Sequence, residues 1–253
     1  MLSQFLVTEL FALAITFCRI GSAIMVLPGF GETYVSARVR LSFAIMVTLI
    51  VTPTLSNIPD IPTTILGLFV LIVGEILIGV FMGLIARVLI SATHIAGTII
   101  AMQSGLASAL VQDVTQVSGQ SSPISNLLGI AALVLLFATD LHHVLLVGIM
   151  DSYSLFTPGI FPIVGDLSNY ATTAMNGTFQ AAFKLAAPHI VIGLLLYLAA
   201  GVISRLVPNL QVFFLMLPAQ IYIGFVIMAL SFSSMMMWYM GYLGETFISF
   251  VAP

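Results

Sequence analysis

The stretch "ILGLFVLIVGEILIGVFMGLIARVLI", Ile65 to Ile90, holds two charges, Glu75 and Arg87, in a run that is otherwise apolar or glycine. A helix crossing the hydrocarbon core of a bilayer needs about 20 residues at a rise of about 1.5 Å each, so this run is longer than one crossing requires. Leu41 to Leu55, the run before it, is shorter than one crossing requires. Helices mismatched in this way tilt, bend into hairpins, or are held in a larger protein assembly where bilayer thickness does not set their length. Further apolar runs cover Leu6 to Leu27, Ile124 to Ile149, Phe179 to Val207 and Leu210 to Phe250. None alternates with the period of two that a membrane barrel strand shows over about ten residues. Turn signals separate the runs: "PGFGE" at Pro28 to Glu32, "PDIP" at Pro59 to Pro62, "TPGIFP" at Thr157 to Pro162, and Pro208. The expected fold is an all-α integral membrane protein of six to seven long, kinked helices and hairpins, packed into a larger assembly.

Composition agrees with that class. Charged residues make up 6% of the 253 and mean hydropathy is +1.21, whereas a soluble domain is about a quarter charged. The net charge of −3 arises from few groups, and the absence of any basic run excludes the footprint of a nucleic-acid binder. The opening "MLSQFLVTEL" lacks a positive leader region, so the first run is expected to be retained as a helix. The single cysteine, Cys18, reads as a small buried hydrophobe. Arg38, Arg40, Arg87 and Arg205 all fall on the cytoplasmic side only if the region from His94 to Pro123 enters and returns on one side. An ordinary crossing by His94 to Val111 is the alternative.

That region contains "QSGLASALVQDVTQVSGQSSP", Gln103 to Pro123, which has no basic or aromatic residue. Irregular backbone at membrane depth is tolerated only where protein buries it or where it lines a water-filled cavity. Gly105 and Gly119 bracket the stretch as hinges. Leu106, Leu110, Val111, Val114 and Val117 supply apolar bulk, interleaved with Gln112, Asp113, Thr115 and Gln116. Such a loop suits a detachable apolar plug in a pore, with a plain surface connection as the alternative.

Polar residues within apolar runs are costly against lipid, so Arg19, Glu75, Asp140, Lys184 and the histidines are expected to face protein or a cavity. Glu75 follows Gly74 and is followed by Gly79 and Gly83 at the small-xxx-small spacing that allows close helix approach. It reads as an inter-helix hydrogen-bonding group rather than a proton relay. Asp140, His142 and His143 are not expected to form a ligand set, because neighbouring residues on a helix point about 100° apart. His94 and His189 are lone histidines on apolar helices, with Pro188 marking a kink. Met235, Met236 and Met237 face different directions, which favours packing over a shared lumen.

Four stretches carry a family resemblance: "RIGSAIMVLPGFGETYVSARVRLSFAI" from Arg19, "GEILIGVFMGLIARVLISATHIAGTIIAMQSGL" from Gly74, "DLHHVLLVGIMDSYSLFTPG" from Asp140 and "SRLVPNLQVFFLMLPAQIYIG" from Ser204. In this order and spacing, over nearly the whole chain, they resemble the FliR family of flagellar export-gate proteins, relatives of the injectisome T subunit. The order of Asn209 and Gln211 is reversed from the family's pattern. The resemblance implies a core subunit of the flagellar type III export gate in the bacterial inner membrane. It implies FliP-like and FliQ-like partners, and FlhB-like and FlhA-like components alongside. It also implies a FliP-like part over 1–177 and a FliQ-like helical hairpin over 178–253. The motif Gln103, Ser104, Gly105, Leu106 then opens a plug loop closing a channel for unfolded exported chains. Pro208, Asn209, Gln211 and Pro218 fall at contacts between helices. No cofactor, metal or catalytic residue is implied. An injectisome T subunit is the nearest alternative. A small-solute transporter would show paired broken helices in an internal repeat, and no duplication is found. An intramembrane enzyme would need a nucleophile with its base or a metal triad, and nothing in the sequence assembles one.

Overall fold

The computed structural model describes residues 2–55, 59–106, 122–159, 164–207 and 212–251. Seven α-helices account for most of them: α1 (Leu2–Val26), α2 (Ala37–Val51), α3 (Ile65–Gln103), α4 (Pro123–Ala138), α5 (Leu141–Leu155), α6 (Val164–Leu206) and α7 (Val212–Val251). The fold is all-α, as the sequence implies, and no strand occurs among the described residues. Among the described residues, five helical spans are long and apolar enough to cross a membrane, and six if the pair α4–α5 counts as one broken span.

Three boundaries differ markedly from the sequence reading. α6 begins at Val164, well before Phe179, because the polar and small residues that precede the apolar run are also helical. The third apolar run does not end near Ile90: α3 continues unbroken through His94 to Gln103, 39 residues in all. Neither Gly nor Pro interrupts the backbone hydrogen bonds strongly enough there, since Gly97 alone costs only about 1 kcal/mol against alanine. The run Ile124 to Ile149 is not one helix. It breaks between α4 and α5, where Asp140 takes a left-handed conformation at φ 58°. Aspartate tolerates that conformation better than most residues, which explains a break without glycine or proline.

The chain forms two compact units. The first comprises Met1–Leu89, Thr139–Met175 and Gly244–Pro253. Its core includes Ile20, Ile24, Leu27, Ile78 and Ile149, all buried. The turn after α1 folds back through a Gly31 N–H donated to the Leu27 carbonyl, and Phe30 stacks on Phe43 of α2 with ring centroids 5.0 Å apart. The Arg40 guanidinium donates to the Glu32 and Val35 carbonyls, while Arg87 pairs with the Glu32 carboxylate at 3.1 Å. Two of the arginines counted for orientation therefore meet at one turn.

The second unit comprises Ile90–Ala138 and Asn176–Leu243. Leu128, Leu136, Leu185, Tyr239 and Leu243 fill its core. The end of α3 and the start of α4 pack through glycine: a Cβ on Gly97 would strike the Ser125 backbone, and one on Gly129 would strike the His94 ring. The methionine run divides as its helical spacing demands, with Met235 and Met236 buried and Met237 exposed. Large apolar side chains stay exposed in both units, among them Ile65, Leu66, Phe214 and Leu230. An apolar outer surface of this extent is what lipid or further protein covers.

Candidate functional site

In the first unit the charges foreseen on α1 and α3 meet. Arg19 Nε donates to Glu75 Oε2 at 2.6 Å and Nη2 donates to Oε1 at 3.1 Å, a two-pronged pair fully removed from solvent. The remaining donors are also satisfied: Nη1 reaches the Ser152 carbonyl at 3.1 Å, and Nη2 reaches the Phe156 carbonyl at 2.9 Å. The guanidinium carbon lies 4.1 Å from the Tyr153 ring centroid. One arginine thus ties α1 to α3 and to the C-terminal end of α5, sharing the Ser152 carbonyl with the Phe156 N–H and binding the Phe156 carbonyl itself. Glu75 is the inter-helix group that the sequence suggests.

The spacing of Gly79 and Gly83 explains how α1 and α3 come close enough. A Cβ at Gly79 would collide with Ser22 Oγ and the Arg19 carbonyl, and one at Gly83 would lie 2.8 Å from Val26 Cβ. Gly74 is buried and lines, with Glu75, Pro59 and Pro62, a cavity of about 490 Å³.

In the second unit the structure describes both flanks of the Gln103-to-Pro123 stretch. Gly105 has φ 70°; its N–H bonds the Met102 carbonyl and the Leu106 N–H bonds the Ala101 carbonyl at 3.0 Å. This is the glycine-terminated helix end in which the left-handed residue lets the last carbonyls be capped. Gln103, Ser104, Gly105 and Leu106 therefore form a defined stop to α3. Gln220 of α7 seals that stop, its amide donating to the Gln103 carbonyl and to Tyr197 Oη of α6. On the other flank, Ser122 Oγ accepts from the Ser125 N–H at 3.0 Å and contacts Ser125 Oγ at 3.0 Å, which in turn contacts Thr98 Oγ1. Ser122 Oγ also donates to the Gly97 carbonyl. Ser122 therefore lies beside Gly97 of α3.

Leu110, Val111, Gln112, Asp113, Val114, Val117 and Gly119 lie outside the described residues, as do Pro208, Asn209 and Gln211. Pro218 sits within α7 on an exposed face. The sequence reading missed Gln220, Tyr197, Thr98, Ser122 and Ser125. The usable signal was the polar side chain itself: Gln220 is the one amide in the apolar run of α7 between Val212 and Val251.

One geometric expectation is corrected. Asp140, His142 and His143 bring a potential ligand atom each to within 4.8 Å of one another, and the two rings lie 4.1 Å apart at a 37° tilt. The Asp140 carboxylate lies 3.7 Å from His143 Nδ1 at the first turn of α5, and the two adjacent rings approach each other despite their angular spacing. Asp140 and His143 are exposed, and the cluster sits at a helix N-terminus, where the helix dipole opposes a cation.

The pattern of bacterial export proteins, family 1, matches residues 10–246. The flagellar biosynthetic protein FliR of Caulobacter vibrioides is 34% identical over 230 residues, covering 90% of this chain and 91% of that protein. The protein of the same name from Bacillus subtilis is 32% identical over 225 residues, covering 88% and 86%. That from Escherichia coli is 30% identical over 213 residues, covering 83% and 80%. With apolar helices, a buried inter-helix ion pair and a match along nearly its whole length, this chain belongs to the FliR family of bacterial export proteins.

Proposed function

We propose that this chain is a core subunit of the flagellar protein-export gate in the bacterial inner membrane, and that the stretch Gln103 to Pro123 supplies a plug in its channel. The observation that carries the reading is the family match over residues 10–246, shared with relatives named for flagellar biosynthesis. The exposed apolar faces and the helices longer than a bilayer crossing support assembly with further hydrophobic subunits, FliP-like and FliQ-like, with FlhB-like and FlhA-like components alongside. In this reading residues 1–177 take the FliP-like place and 178–253 the FliQ-like place, so that one copy closes the ring. Unfolded flagellar proteins pass the plug when it moves; the chain performs no catalysis.

The anchoring of both flanks supports the plug. A seal needs fixed roots and a removable middle, and the roots here are set by polar contacts to α6, α7 and the α3–α4 hairpin. Native mass spectrometry of the tagged chain, co-expressed with neighbouring membrane-protein genes, tests the assembly. One copy with several copies of two hydrophobic partners is the expected result. A monomer or a symmetric homo-oligomer would refute it.

A further inference from the structure

The end of α3 packs on α6 and α7 around a cavity of about 10 Å³, lined by Gln103, Ser104, His189, Gln220, the backbones of Gly193 and Gly224, and four aliphatic side chains of α6 and α7. Ser104 and His189 are 3% and 2% exposed, yet Ser104 Oγ and both ring nitrogens of His189 lack a hydrogen-bond partner. The His189 ring faces the Gly224 backbone without meeting hydrogen-bond geometry. Buried polar atoms are nearly always satisfied, so three orphans around one small space need a common explanation. Overpacking does not supply one: Gly193 and Gly224 have no side chain where a Cβ would strike Gln103 Oε1 and Ser104 Oγ, so the glycines make room for these polar groups.

We infer that this cavity is a binding site for one water molecule, which bridges Ser104 to His189 and clasps the Gln103-to-Leu106 turn to α6 and α7. The volume matches the roughly 10–15 Å³ that one water requires, and the donors and acceptors present match the two to four partners it needs. A cation is excluded as occupant: no carboxylate lines the space, and the titratable groups at it are His189 and, through Gln220, the Tyr197 hydroxyl. The clasp completes what Gln220 begins by donating to the Gln103 carbonyl. Its importance for gating rests on the plug reading above; the water site itself does not.

Hydrogen–deuterium exchange of the assembled complex at the Gly105 and Leu106 amides, which close the turn, reads the clasp directly. Ser104→Ala and His189→Leu are each expected to speed exchange about two- to tenfold, the worth of one net hydrogen bond. The double variant should be no faster than the single ones, because both lose the same water. His189→Gln, which keeps a polar group in the space, should restore slower exchange than His189→Leu. Unchanged or slower exchange in Ser104→Ala would overturn the inference, since removing a dry, unpaired hydroxyl relieves a penalty. Ion conductance, measured separately, distinguishes the two readings. Faster exchange with unchanged conductance keeps the clasp and refutes the plug; unchanged exchange refutes the clasp whatever the conductance.

Discussion

Replacing Glu75 by leucine leaves the Arg19 guanidinium buried against Ser152, Phe156 and Tyr153 with no negative partner. Both side chains of the pair are at most 2% exposed, so solvent screening offers no relief. Removing one partner of such a pair costs about 3–5 kcal/mol, most of it the burden of an uncompensated charge. For a chain of this size each kcal/mol lowers the unfolding midpoint by about 2–4 °C, so the Glu75→Leu midpoint should fall by about 6–20 °C. Differential scanning fluorimetry of the purified chain in detergent measures it. The double variant Arg19→Leu/Glu75→Leu should recover most of the loss, because two apolar side chains of moderate size suit the same interior. A single-variant midpoint within about 2 °C of wild type would refute the argument, as would a double variant no better than the single.

Gly79→Leu should destabilise the chain by about 1–3 kcal/mol or more, because the new side chain meets the Arg19 backbone rather than a movable tip; Gly83→Ala, facing Val26 Cβ, should cost less. Comparing the two midpoints in detergent checks the order. Gly105→Val should cost at least about 1–2 kcal/mol at the end of α3, since φ 70° disfavours a β-branched residue. Its effect should appear as raised ion leak through the assembled gate while the complex still co-purifies. Ser125→Val should loosen the α3–α4 contact by removing the hydroxyl shared with Thr98 and Ser122, raising protease sensitivity on the Ser122 side.

The helices were legible, and so was the need of Arg19 and Glu75 for protein partners, because lipid makes them so; that the two pair with each other was not read from the sequence. A charge in an apolar run has to find protein, and Arg19 and Glu75 are opposite charges, each in such a run; the glycines at 79 and 83 show where two helices can touch. The carbonyl partners at Ser152 and Phe156 were not legible. They depend on where the last turn of α5 falls, and so on where that helix starts, which is set by the left-handed Asp140, a conformation that local sequence allows but does not demand. The continuation of α3 to Gln103 was hidden by small and β-branched residues, "ISATHIAGTII" from Ile90 to Ile100, whose weak helix propensity tertiary packing overrides. Gln103 to Leu106 was legible as a motif. Its partners Gln220, Tyr197 and His189 lie about a hundred residues away in the chain, and only packing brings them together.

The plug claim is tested most directly by conductance of the co-assembled gate after residues 107–121 are replaced by a linker of about six glycines. Such a linker is long enough, since Leu106 lies about 14 Å at helical rise beyond Gly97, which Ser122 contacts, and six extended residues reach about 20 Å. A raised ion conductance with assembly intact is the predicted result. Conductance equal to wild type in a fully assembled complex would contradict the account and place the seal elsewhere.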